Sequence, residues 1–283
     1  MTRWRLGRRL GEGGMAEVLS AEGELADGTT VRGAVKRLLP ACAGDVELRR
    51  RLREEERLVR RLSHPNVVAL LDAFDDAGRR HLVFEQVDGF TLEALVMRGS
   101  AGAFLPPTAA AFVAARVAAA VAHAHGLGVL HRDVSGANVL VSWAGEVKLA
   151  DFGLADGGDG PGLTAPGSVL GTTAYLSPRR LRGLPAAVAD DLWALGVVVE
   201  RLLSAVDPRQ RRETAAMKLR SLAEALRGDE ADALAELAAA GADATSLVAH
   251  LGRLARPPPV ARGAMSWGAL GGTTVPEAPP RRR

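Results

Sequence analysis

This 283-residue chain has one cysteine, Cys42, one tyrosine, Tyr175, two asparagines, Asn66 and Asn138, and three lysines, Lys36, Lys148 and Lys218. A lone cysteine excludes an internal disulfide framework. No stretch approaches about 20 uninterrupted apolar residues, so no membrane span is expected, and the opening MTRWRLGRRL has no apolar run to serve as a signal peptide. Together these absences predict a soluble protein in a reducing, cytoplasmic setting. The net charge is only +3, with arginines mixed among acids instead of gathered in a block, so no nucleic-acid partner is expected. A chain of this length with 47% hydrophobic residues can bury a substantial core and is too long for one minimal domain. One bilobal unit or two domains is the expectation. Because the basic residues are almost all Arg, each surviving Lys or Asn raises a chemical question.

From Arg5 the chain alternates towards Leu10, runs through Gly11-Glu12-Gly13-Gly14-Met15-Ala16-Glu17-Val18, and alternates again. That is strand, glycine turn, strand. A dinucleotide fold or Walker loop would place a helix after the glycines, whereas a glycine hairpin lets backbone N–H groups approach phosphates closely. Ala34-Val35-Lys36 ends the next strand-like run. An ammonium is a compact donor suited to phosphate oxygens. Ala41 to Leu62 reads as a helix whose apolar stripe comprises Leu48, Leu52, Val59 and Leu62. Position 55 completes it, so among Glu54, Glu55 and Glu56 only Glu55 faces inward, and the other two read as a solvated face. A buried carboxylate needs a cation, and Lys36 is the candidate. Strands are expected around Val68 to Phe74 and His81 to Val87, then a short helix at Thr91 to Arg98 and an Ala-rich helix from a Thr108 cap to about His125. His123 and His125 fall on different helix faces and read as ordinary surface or core residues.

The most informative stretch is His131 to Gly153. Asp133, Asn138 and Asp151 bracket a short apolar hairpin, so three metal-capable or proton-accepting side chains face one place. HRD, an Asn five residues after its Asp, and DFG resemble the catalytic and metal-binding loops of the protein kinase family, in particular the bacterial Hanks-type serine/threonine kinases.

That resemblance covers about residues 5 to 256 and implies an α+β, bilobal kinase fold: an antiparallel β-sheet N-lobe with helix αC over about 5–87, and a mainly α-helical C-lobe over about 88–256. The Pro-, Gly- and Arg-rich residues 257–283 are expected to be a disordered tail. ATP and Mg²⁺ are the implied cofactors. Leu10, Gly11, Gly13, Val18, Ala34 and Leu140 would line the nucleotide site, and Lys36 would contact its phosphates while pairing with Glu55. Phe84 would be the gatekeeper, with the backbone of Glu85 and Val87 on the adenine edge. Asp133 would take or orient the proton of the attacking hydroxyl, and Asn138 and Asp151 would ligate Mg²⁺. Asp191 would support the catalytic-loop backbone, and Thr172 would mark Ser/Thr specificity. A loop phosphate at Ser168, with Thr164 as the alternative, would engage Arg132. The implied partners are protein substrates with Ser or Thr acceptors.

Two departures stand out. Ser135 and Gly136 replace the family's usual Lys and Pro, and Arg179 replaces the Glu of the family's APE motif, with Glu213, Asp229 and Glu230 as candidate partners. These departures motivate a second reading, a pseudokinase or nucleotide-binding scaffold.

Overall fold

The computed structural model describes residues 3–24, 28–152, 172–210 and 217. Gly153, the segment 154–171 with Thr164 and Ser168, the Thr172 side chain, Glu213, Asp229, Glu230, most of the C-lobe beyond 210 and the tail lie outside the described residues.

Five antiparallel strands form the first sheet: β1 (Arg3–Glu12), β2 (Ala16–Glu24), β3 (Thr30–Leu38), β4 (Leu70–Asp76) and β5 (Arg79–Glu85), in the order β1-β2-β3-β5-β4. The glycines between β1 and β2 close a tight turn in which the Gly13 N–H donates to Ala16 O at 2.8 Å. One face of this sheet joins the main core. The other carries a second apolar cluster of Ala21, Val35 and Val83 under Trp4, Leu6 and Phe74. Gly33 makes room for it, because a Cβ there would lie 2.9 Å from the Trp4 ring and 2.7 Å from Val83. The Trp4 indole N–H then reaches Asp72 at 2.8 Å, tying β1 to β4 across the sheet.

Helix α1 spans Val46–Val59, five residues shorter at its start than the apolar pattern predicts. Asp45 accepts from the Glu47 and Leu48 amides, fixing the first turn, while Pro40–Cys42 form a separate 3₁₀ turn. Leu52, Glu55, Leu58 and Val59 are buried. Glu56 departs from the expected solvated role: its carboxylate is only 13% exposed and pairs with Arg80 at 2.7 Å and Arg60 at 2.9 Å.

Below the first sheet lie helix α2 (Leu92–Ser100), capped by the Thr91 hydroxyl, and helix α3 (Pro107–Gly126). Pro107 occupies the first turn of α3 and Pro106 its cap position, with no side-chain cap hydrogen bond, so Thr108 is inside the helix and not its cap. Alanines give α3 a nearly smooth surface, and by length and hydropathy it matches a membrane span; 67% of its most apolar window is buried inside the protein. A three-stranded sheet, β6 (Gly89–Thr91), β7 (Val139–Ser142) and β8 (Val147–Leu149), carries the catalytic-loop hairpin. A 3₁₀ turn at Thr172–Tyr175 and a short helix α4 (Pro178–Leu181) lead to helix α5 (Val188–Ser204), which packs on α3.

Candidate active site

Strand β3 delivers Lys36 into the interior, where it is 1% exposed. Its Nζ lies 2.8 Å from Glu55 Oε1 on α1 and 2.7 Å from Asp151 Oδ1 just after β8. Burial works to lower the ammonium's pKa, but two carboxylates at hydrogen-bond distance outweigh it and hold the pKa above its ordinary value. For Glu55 burial wins, pushing its carboxyl up despite the Lys36 charge. Removing one member of such a buried set costs about 3–5 kcal/mol, because the remaining charge loses its partner.

The second half of the site is the loop between α3 and β7. Arg132 has φ +69° and Asp151 φ +61°, a region unfavourable for side-chain-bearing residues. Asp191, near the start of α5, accepts from the His131 amide at 2.8 Å and the Arg132 amide at 2.7 Å, which holds the first of these turns in place. The buried His131 ring is fixed by its own bonds: Nε2–H donates to Ala150 O at 2.9 Å, and Nδ1 accepts from the Asp133 amide at 3.2 Å. That is the neutral tautomer, and burial lowers the His131 pKa accordingly. The ring also packs on Phe152, with centroids 4.4 Å apart.

Asn138 reaches back to Asp133, its Nδ2 donating to Asp133 O at 2.8 Å and Oδ2 at 2.9 Å. Burial pushes the Asp133 carboxyl up to about 7, against the pull of the Asn138 bond. With Nδ2 so engaged, Asn138 Oδ1 is a buried acceptor with no hydrogen-bond partner among the described residues. An orphaned amide oxygen flanked by carboxylates is a set of hard oxygen donors, which suits Mg²⁺. Among the described residues no group of three or more His, Cys, Asp and Glu could hold a metal alone, so a cation here would rely on Asn138, Asp151 and oxygens supplied by a nucleotide.

Leu10, Val18, Ala34, Phe84, Val87 and Leu140 all belong to the main buried core. Gly11 pairs with Val18 across the hairpin, and Gly13 sits in its turn. Glu85 modifies the sequence expectation: its amide donates to Ala69 O at 2.9 Å and so is engaged within the fold. Its carboxylate accepts from the Ala69 amide at 2.8 Å and from Lys148 Nζ at 2.7 Å, contacts the sequence reading missed.

Other residues take on structural roles that spacing did not reveal. His125, expected to be unremarkable, has Nε2 2.8 Å from Asp191 Oδ2 and so braces the catalytic loop. Ser135 is buried. Gly136 sits against the Glu93 carboxylate and the Tyr175 hydroxyl, 2.8 and 3.1 Å from where a Cβ would stand. Arg179 approaches Asp190, Nε to Oδ1 3.6 Å, a partner the sequence reading did not consider. Asp190 also accepts from the Ser177 hydroxyl and from the Ala187 amide, so this carboxylate gathers the segment before α5.

Comparison with known proteins gives this arrangement its family. The protein kinase domain profile matches residues 4–255. The serine/threonine-protein kinase PrkC of Bacillus subtilis is 34% identical over 220 residues, covering 78% of this chain and 33% of that protein. PknL of Mycobacterium tuberculosis is 40% identical over 176 residues, covering 62% of this chain and 43% of its own length. The chain thus spans about a third of the length of the first of these relatives. The crystal structure of the M. tuberculosis PknI kinase domain superposes with a TM-score of 0.59 at 26% identity, covering 83% of this chain and 96% of that one. A buried Lys–Glu–Asp set facing an Asp–Asn pair, inside a profile match that spans most of the sequence, places the chain in the protein kinase family, among the bacterial Hanks-type serine/threonine kinases.

Proposed function

We propose that this domain transfers the γ-phosphoryl group of ATP to Ser or Thr hydroxyls of protein substrates. The observation that carries the reading is the joined polar cluster: Lys36 is held by Glu55 and Asp151, and Asp133 is held by Asn138, whose Oδ1 has no partner among the described residues. Lys36, oriented by Glu55, donates to α- and β-phosphate oxygens. Asp133 accepts the proton of the incoming hydroxyl as its oxygen bonds to the γ-phosphorus and the bridging bond to the β-phosphate breaks, releasing ADP. Asn138 and Asp151 would hold Mg²⁺, which would supply neutralisation of phosphate charge when bound. The walls formed by Leu10, Val18, Ala34 and Leu140 exclude water from the base, and the Glu85 carbonyl and Val87 backbone orient it.

The loss of the usual lysine at Ser135 leaves Lys36 as the protein's positive charge on the phosphates, beside the cation that Asn138 and Asp151 would hold, for a transition state that asks mainly for positioning and charge stabilisation. The test incubates the purified protein with radiolabelled MgATP and a generic protein substrate, beside Asp133→Ala and Lys36→Met. Labelling is expected in the parent protein, reduced about 10²-fold or more in each variant, and abolished by a chelator. Labelling that persists in Asp133→Ala overturns the mechanism. Nucleotide binding without any labelling overturns the transferase reading.

A further inference from the structure

One polar cluster beside the catalytic loop plays no part in the chemistry above. Its members come from four elements: Gly136 of the catalytic loop, Glu93 in the first turn of α2, Tyr175 after the 153–171 segment, and Arg201 in the last turn of α5. The Glu93 amide donates to Gly136 O at 2.9 Å, and the Tyr175 hydroxyl donates to Glu93 Oε2 at 3.1 Å. Arg201 lies with its guanidinium carbon 5.8 Å from the Tyr175 ring centroid and one terminal nitrogen 3.7 Å from Glu93 Oε1.

The two charges are unequally committed. Glu93 is engaged by a hydrogen bond from Tyr175, and its backbone is tied to the loop. Arg201 is near Glu93 at a separation too long for a hydrogen bond, and its side chain makes no hydrogen bond among the described residues. Its side chain is 39% exposed. Tyr175, the residue it covers, lines the same depression as Asp133, so the Arg201–Tyr175 contact adjoins the depression that holds the catalytic-loop carboxylate. The rim on that side is basic as well: Arg180 also lines the depression, and Arg182 is exposed next to it. The remaining carboxylates of the depression, Asp190 and Asp191, are buried and hold backbone amides.

We propose that Arg201 is a specificity-determining residue that receives an acidic side chain of the protein substrate near the phosphorylated Ser or Thr. A carboxylate arriving at the rim takes two parallel N–H donors of the guanidinium. Glu93 and Tyr175 keep that guanidinium from swinging away, so the pair forms at reduced entropic cost. A basic substrate side chain meets Arg201 first and finds Glu93 already occupied. This inference rests on the phosphotransferase reading and names the substrate class of that same site.

The test measures kcat/KM on Ser-acceptor peptides in which each flanking position in turn carries Glu, Ala or Arg, for the full chain and for Arg201→Gln, with melting curves confirming that the variant is folded. In the parent protein at least one flanking position is expected to favour Glu over Ala by about 5-fold, with Arg below Ala. In Arg201→Gln that ratio is expected to fall to about one, through KM and not kcat. Equal labelling of all peptides, or a Glu preference that survives Arg201→Gln, overturns the subsite and leaves phosphoryl transfer standing. A preference for Arg would assign the subsite to Glu93 instead and overturn the proposal. Absence of labelling with every peptide and with generic protein substrate overturns the transferase reading and this inference with it.

Discussion

At the scale of single residues, Gly136 shows how a departure from a family pattern can be locally compensated. A proline there would lack the N–H and carry a ring into the space where Glu93 and Tyr175 meet. Even an alanine Cβ would lie 2.8 Å from Glu93 Oε2 and 3.3 Å from the Glu93 backbone nitrogen. The first neighbour is the tip of a side chain and can move; the second is backbone and cannot move cheaply. Gly136→Ala is therefore expected to cost about 1–2 kcal/mol of stability, read as a lower denaturant midpoint. It should also loosen the Tyr175–Glu93 bond. Burial and the Glu93 charge push the Tyr175 hydroxyl up to about 12 in the intact cluster, so ultraviolet titration of this sole tyrosine should show ionisation at lower pH in the variant. A tyrosine that titrates unchanged would mean that the pair tolerates the methyl group. Lys36, Asp133, Asn138 and Asp151 could be picked out from the sequence because they are rare or closely spaced residue types. Tyr175 is as conspicuous, being the sole tyrosine, but its bond to Glu93, 82 positions away, and the approach of Arg201 to the same carboxylate are not visible in the sequence.

At the scale of elements, periodicity located the strands and put Glu55 on the buried side of α1, but it mislaid the ends. The start of α1 is decided by two hydrogen bonds to Asp45 and that of α3 by Pro107, and neither is visible in an apolar stripe. Glu56 was misread for a related reason. Helical phase says which way a side chain leaves its helix, and here that direction leads to Arg80 of β5, a strand joined to α1 only through the tertiary fold. Arg80 donates from Nε at 2.9 Å and from a terminal nitrogen at 2.7 Å to the two Glu56 oxygens, and also reaches Asp75. The Arg80 bonds, with those from Arg60, hold the Glu56 pKa below its ordinary 4.5 against the opposing effect of burial. A carboxyl with a depressed folded-state pKa contributes stability that is fully present above its unfolded value and is lost as pH falls through the folded one. Glu56→Gln should accordingly destabilise the protein by about 1–2 kcal/mol at pH 7, and the gap to the parent should close as pH drops below 4.5. Thermal unfolding at stepped pH measures both. A gap that is constant with pH would assign the loss to packing and not to charge.

At the scale of the whole molecule, the halves of the site must be held in register, since Lys36 and Glu55 come from the upper sheet and α1 while Asp133, Asn138 and Asp151 come from the loop and hairpin below. The segment from His64 to Ala69 makes that connection. Asn66 O accepts from the Leu149 amide at 2.8 Å, Leu149 O accepts from the Val68 amide at 2.9 Å, and the Asn66 side chain donates from Nδ2 to Val147 O at 2.8 Å. The strand β8 that receives these bonds leads within two residues to Asp151. The scarcity of asparagine made Asn66 conspicuous, yet nothing nearby in sequence could indicate that its partner is the Val147 carbonyl, 81 positions away. Asn66 is 8% exposed and Val147 1%, so deleting the amide leaves a carbonyl buried without its donor, at a cost of about 1–3 kcal/mol. Asn66→Ala keeps both backbone bonds, so the fold should persist with a lower denaturant midpoint. Amide exchange should accelerate at Val68 and Leu149 more than in the β1–β2 hairpin. Because Asp151 takes its position from the end of β8, MgATP should also bind more weakly than to the parent, a change calorimetry would register. Equal exchange acceleration across all strands would instead mean that the loss is global, and that Asn66 stabilises the fold without specifically clasping the two halves of the site.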